Sequence, residues 1–109
     1  MAMDPKGCHA QNVKRRLMKR GSKPDLNHAE VRDGLRSIIG NQCVVDIKDF
    51  GGGIGDLLVG FRGVNYLLET KRNKKATLTP AEKKFHETWE GQIDIVYSLD
   101  DAMKVIGLI

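Results

Sequence analysis

The stretch Gly55-Asp56-Leu57-Leu58-Val59-Gly60-Phe61-Arg62-Gly63-Val64-Asn65-Tyr66-Leu67-Leu68-Glu69-Thr70-Lys71 decides the fold. Two apolar runs of β-favouring residues flank Arg62-Gly63, a short turn signal. A hairpin centred there pairs positions whose numbers sum to 125, with a loop of two residues or four, and sets Asp56 opposite Glu69. Directly opposed side chains have Cβ atoms about 5 Å apart. Two like charges at that spacing repel, so a fold keeps them with a cation between or beside them. Lys71 lies two residues beyond Glu69 and points to the same face. Two carboxylates and a lysine on one sheet face describe a divalent-metal site. Carboxylates on strands more often decorate a solvated face. Runs as apolar as Leu57-Leu58-Val59 and Tyr66-Leu67-Leu68, however, imply a sheet covered on both faces.

A chain of 109 residues is one domain, and 40% hydrophobic with 29% charged is ordinary for a soluble globular protein. No apolar run approaches the roughly 20 residues of a membrane helix, and no signal-peptide apolar region opens the chain. The expectation is a cytoplasmic protein without membrane contact. Cys8 and Cys43 lie far apart and read as reduced thiols, and a zinc site from Cys8 and His9 lacks partners at ligand spacing.

The charge is uneven. Residues 1–24 carry seven basic side chains against Asp4 alone, whereas the remainder holds 11 basic and 13 acidic, so a +6 arm precedes a −2 body. A basic arm (Lys14, Arg15, Arg16, Lys19 and Arg20) on a mildly acidic body suits polyanion binding, although a solubilising leader has the same composition. A second basic cluster, Arg72, Lys74 and Lys75, adjoins Lys71.

The body, residues 25–109, reads in the order α-β-β-β-α-β-α. Asp25 caps a helix whose Val31, Leu35, Ile38 and Ile39 recur at helical spacing up to Gly40. Cys43 to Ile47 is a short strand, and Lys48 to Gly55 a glycine-rich loop. After the hairpin, Thr79-Pro80-Ala81-Glu82 is a capping box with proline at the first helical position. Phe85 and Trp89 lie four apart on that helix, with Trp89 expected in the core. Ile93 to Tyr97 is a strand, and Ser98 to Ile106 a helix with Ala102, Val105 and Ile106 inward.

Four ordered segments together resemble the VRR-NUC (virus-type replication-repair nuclease) domain of the PD-(D/E)xK superfamily, in its small stand-alone phage and prophage form. They are Asp25-Leu26-Asn27-His28-Ala29-Glu30, Gly52 to Gly60, Asn65 to Lys71, and Leu78-Thr79-Pro80 through Trp89. The resemblance covers about residues 25 to 106. It implies a restriction-endonuclease-like α/β core with a central mixed sheet flanked by helices. It further implies metal-dependent cleavage of DNA phosphodiesters, branched or four-way-junction (Holliday junction) substrates, a homodimer, and a phage-encoded or bacterial intracellular setting. Carried over by position, Asp56, Glu69 and the backbone carbonyl of Thr70 would hold Mg2+ or Mn2+. Lys71 would be the catalytic lysine, and Glu30 of the first helix would reach the metal directly or through water. Glu30 lies off the Val31-Leu35 stripe, and Gly34 one turn on leaves space beside it. Two positions depart from the pattern. Gly55 stands where a proline is usual, softening the approach to the strand, and Glu82 where a glutamine is frequent.

These residue types suit that chemistry. A hard divalent ion takes oxygen ligands and typically uses one or two carboxylates, several waters and a substrate phosphate. Lysine supplies a point charge for orienting water or stabilising a pentavalent transition state. His28 and His9 show no evident partners in the sequence, and His86 reads as half-buried and structural. The alternative function is a non-cleaving module that binds structured DNA on a degenerate nuclease scaffold.

Overall fold

The computed structural model describes residues 26–109. Helix α1 (Leu26–Ile39) leads through a 3-10 turn (Asn41–Cys43) into β1 (Val44–Asp46). A second 3-10 turn (Lys48–Phe50) precedes β2 (Leu57–Phe61) and β3 (Val64–Thr70), and α2 (Pro80–Thr88), β4 (Asp94–Val96) and α3 (Leu99–Val105) complete the chain. The described residues form a mixed α/β fold of three helices and a four-stranded mixed sheet ordered β1-β2-β3-β4. The first two strand pairs are antiparallel, and β3 and β4, joined through α2, are parallel. The expected helix cap at Asp25 and the basic arm lie outside the described residues.

The β2–β3 hairpin has the register read from the sequence, with Leu57 paired to Leu68 and Phe61 to Val64. Its loop is the two residues Arg62 and Gly63, whose φ values of 53° and 82° are both left-handed. That backbone matches the right-handed twist of the flanking strands.

Side chains alternate across the sheet, so its two faces differ. On one, Leu57, Val59 and Leu68 join Val44 and Val96 beneath Val31 and Leu35 of α1 and Ala102 and Ile106 at the end of α3. This face is the hydrophobic core. The docking stripe of α1 runs through His28, Val31, Arg32, Leu35 and Ile39. Ile38, expected inward, is 48% exposed because it falls on the outer flank of the last turn.

Among the described residues the other face is covered only in part, contrary to the expectation from apolar strands. Its helix, α2, has nine residues, none of them buried, and Leu58 on that face is 39% exposed. Trp89 is not a core residue. It caps the C-terminus of α2, is 45% exposed, and stacks on Phe85 with ring centroids 5.0 Å apart.

Candidate active site

Asp56 lies one residue before β2 and is pinned on both sides. Its N–H donates to the Leu68 carbonyl at 2.8 Å, and its carbonyl accepts from the Ile47 N–H at 2.9 Å. Its Oδ2 accepts two hydrogen bonds from Thr70, from the backbone N–H at 2.8 Å and the hydroxyl at 2.9 Å. The ladder ends at Leu57–Leu68, so the N–H of Thr70 has no further strand residue to meet. The Asp56 carboxylate takes that place, as a buried donor requires. Asp56 therefore reaches past Glu69 to Thr70, rather than simply facing Glu69 across the hairpin.

The backbone before Asp56 follows from the same constraint. Gly55 has φ +113°, and a Cβ there would lie 3.2 Å from the Leu68 carbonyl oxygen. Proline, locked near −65°, is incompatible with this route. Glycine at position 55 is thus a requirement of this chain's backbone rather than a softened approach to the strand.

Glu69 is 1% exposed, on the face it shares with Lys71. Burial above all, then the charge and hydrogen bond of Asp56 and the charge of Glu82, push its carboxyl up to about 9, with Lys71 opposing. Its Oε1 is buried without a hydrogen-bond partner, as is Nε2 of His86 on α2, 4.0 Å away. Lys71 Nζ lies 3.9 Å from Glu69 Oε2 but 2.7 Å from Glu82 Oε1. Burial alone would lower the lysine, but the hydrogen bond and charge of Glu82, with Glu69 and Asp56, hold it above its ordinary value. Burial likewise opposes ionisation of Glu82, and the Lys71 and Thr79 hydrogen bonds outweigh it.

Glu82 has two tasks. Its Oε1 accepts from the Thr79 N–H at 2.8 Å while the Glu82 N–H donates to Thr79 Oγ1 at 3.2 Å, which is the capping box read from the sequence. The same oxygen holds Lys71. The glycine loop fixes this turn: a Cβ on Gly53 would lie 2.4 Å from the Ala81 carbonyl oxygen. Only glycine permits so close an approach.

Sequence reasoning missed the other half of the site. His28 is buried, with Nδ1 3.2 Å from Thr70 Oγ1 and Nε2 3.1 Å from Asp46 Oδ2. Arg32, one turn on, donates from Nη1 to the same Asp46 oxygen at 2.7 Å and from Nε to Asp33 at 2.9 Å. Burial opposes ionisation of Asp46, yet the hydrogen bonds from Arg32 and His28 keep it well below the usual carboxylate range. Asn27 Nδ2 donates to the Lys71 carbonyl at 2.6 Å. A polar network thus ties α1 and β1 to Thr70, and through it to Asp56. One signal was present: His28 and Arg32 share the helical stripe of Val31 and Leu35, and polar groups on a buried stripe need partners.

Glu30 is exposed, roughly opposite His28 and Leu35 on α1 at about 100° per residue. The space at Gly34 belongs to Leu99 of α3, whose Cδ2 would lie 2.6 Å from a Cβ there. Among the described residues no group of three or more His, Cys, Asp or Glu is placed to hold a metal ion, so Glu30 does not complete a three-side-chain cluster. A magnesium site needs less, because the ion keeps waters and binds through one or two carboxylates. Asp56 and Glu69, with the unpartnered Oε1, fit such an ion. Arg72, Lys74 and Lys75 are exposed in the loop between β3 and α2. Lys14, Arg15, Arg16, Lys19, Arg20, Cys8 and His9 lie outside the described residues, and Cys43 is a free thiol.

Among the described residues no helix is long and apolar enough to cross a membrane. The chain matches no protein-family model, no curated protein and no solved structure.

Proposed function

We propose that this chain is a divalent-metal-dependent endonuclease of VRR-NUC type, built on a PD-(D/E)xK core and hydrolysing phosphodiesters of branched DNA. The observation that carries the reading is the Glu69 carboxyl group. It is buried beside Asp56, both burial and that neighbouring charge oppose its ionisation, and it has one oxygen without a partner. A buried polar atom left unpaired is costly, and a cation between the two carboxylates relieves both the repulsion and the missing contact.

In this reading Asp56 and Glu69, with the Thr70 carbonyl, hold Mg2+ or Mn2+. When bound, the ion acidifies a water and neutralises charge developing on the phosphate. Thr70, hydrogen-bonded to Asp56 through both its N–H and its hydroxyl, sets the orientation of that carboxylate. Lys71 presents its ammonium to the attacked phosphate, positioned by Glu82. Arg72, Lys74 and Lys75 contact the DNA backbone, as does the N-terminal arm. Two-fold pairing of a small domain adds burial and presents two sites in opposed orientation, which suits a four-way junction.

One observation favours a second reading, a module that binds structured DNA without cutting it: Lys71 is engaged by Glu82 rather than by Glu69. Nicking of duplex, flap and four-way-junction DNA in Mg2+, in Mn2+ and in chelator separates the two. Metal-dependent nicking that favours branched substrates supports the nuclease. Tight junction binding with no cleavage in either metal supports the module.

A further inference from the structure

The incompletely covered sheet face carries a cavity of about 350 Å³, lined by Ile47, Phe50, Ile54, Leu58, Leu67 and Trp89 together with the amides Asn65 and Gln92. Phe50 is 78% exposed, an unusual position for a phenylalanine with nothing to cover. Leu67 of this cavity and Glu69 are neighbours on one face of β3, about 7 Å apart along the strand. Trp89 stacks on Phe85, the residue before His86, so α2 borders both the cavity and the candidate site.

We infer that this cavity receives an unpaired nucleobase of the DNA whose phosphate lies at Asp56 and Glu69. The inference rests on the nuclease reading and deepens it by naming what selects branched DNA. Three features identify the occupant. The exposed rings of Phe50 and Trp89 offer π-faces, on which unstacked bases settle. The basic loop Arg72 to Lys75 adjoins the Lys71 end of β3, so phosphate binders and apolar lining occur in the order that a nucleotide presents its own parts. The separation along β3 resembles that between a base and its own phosphate. In a continuous duplex the bases are paired and stacked, whereas a branch point or flap offers free ones.

One of the two amides lining the cavity is already committed. The amide of Gln92 is engaged, accepting from the Leu67 N–H at 2.7 Å and donating to the Leu67 carbonyl at 2.9 Å and to Asp94 at 2.8 Å. It does not read base edges. Recognition through Phe50 and Trp89 is by stacking.

The test uses the full chain in chelator, which permits binding without cleavage. The probes are a flap DNA with 2-aminopurine as its unpaired base and a matched duplex with the same analogue paired. Wild type quenches the flap fluorescence on binding. Phe50→Ala loses the quenching and about tenfold in flap affinity, a loss typical of one stacked base, and leaves duplex binding unchanged. Phe50→Tyr, which retains the ring, binds as wild type. Equal effects on flap and duplex, or none, overturn the base pocket without touching the nuclease reading, which metal-dependent nicking measures separately. A changed molecular mass of Phe50→Ala with unchanged quenching also overturns it and assigns the surface to a second copy of the chain. Absence of binding to either DNA overturns both readings.

Discussion

Lys71 is held by Glu82 at 2.7 Å while Glu69 stands 3.9 Å away. The lysine proposed to meet the phosphate is therefore positioned by the helix that follows it, through the oxygen that also caps that helix. Local helix chemistry and the candidate site share one atom.

Glu82→Gln isolates the charge from the geometry. Glutamine serves the capping box equally well and still accepts from lysine, so thermal stability should change little. Removal of a carboxylate beside the phosphate path should raise junction affinity about three- to tenfold at low salt, fading as salt screens the effect. Fluorescence anisotropy with labelled junction in chelator measures this. An unchanged affinity would show that Glu82 lies away from the DNA.

Glu69 contributes to the response to pH. Its carboxyl is raised from an ordinary value near 4.5 to about 9 in the folded protein. Between those values the native state binds a proton that the unfolded state has released, so metal-free stability falls as pH rises through this window. Glu69→Gln should flatten that decline and melt above wild type at pH 8 in chelator. Thermal unfolding of both proteins from pH 5 to 9 checks it, and parallel profiles would remove Glu69 as the cause.

His28→Ala should cost about 1–3 kcal/mol, because it leaves Thr70 and Asp46 short of a buried partner. Urea unfolding measures the loss. Asp46, held below the usual carboxylate range in the folded state, contributes stability above its unfolded value that is lost as pH falls through the folded one. Cleavage should fall more than DNA affinity, since His28 touches Thr70, the anchor of Asp56, and no DNA-binding residue. Equal losses in both would make its role purely structural.

Gly55→Pro restores the residue usual in the resembled family and should nevertheless destabilise by more than about 1 kcal/mol, because φ +113° excludes proline. The urea midpoint decides it. A neutral outcome would mean that the backbone before Asp56 can take the family's route.

The hairpin was legible in the sequence down to its register, because the Arg62-Gly63 turn and the apolar runs on either side admit one pairing. The capping box at Thr79 and the inward residues of α3 were equally local and equally legible. What escaped notice depends on docking. The partners of His28 are 42 and 18 residues away and meet it only once α1 lies across the sheet. Glu82 was visible as a cap, but its reach to Lys71 depends on the packing of Gly53 against Ala81. Apolar patterning marks Leu58 and Trp89 as residues that favour burial without showing what covers them, and among the described residues both remain half exposed.

Calorimetric titration of Mn2+ at pH 7, in two buffers of different ionisation enthalpy, tests the central claim most directly. If Asp56 and Glu69 form a divalent-cation site, the ion binds and displaces the proton that Glu69 carries in the metal-free protein, releasing about one proton per ion. Asp56→Asn and Glu69→Gln should each abolish the saturable heat, and Glu69→Gln the proton release with it. Wild type that takes up no Mn2+, or binding that survives in both variants with its proton release intact, would contradict the account.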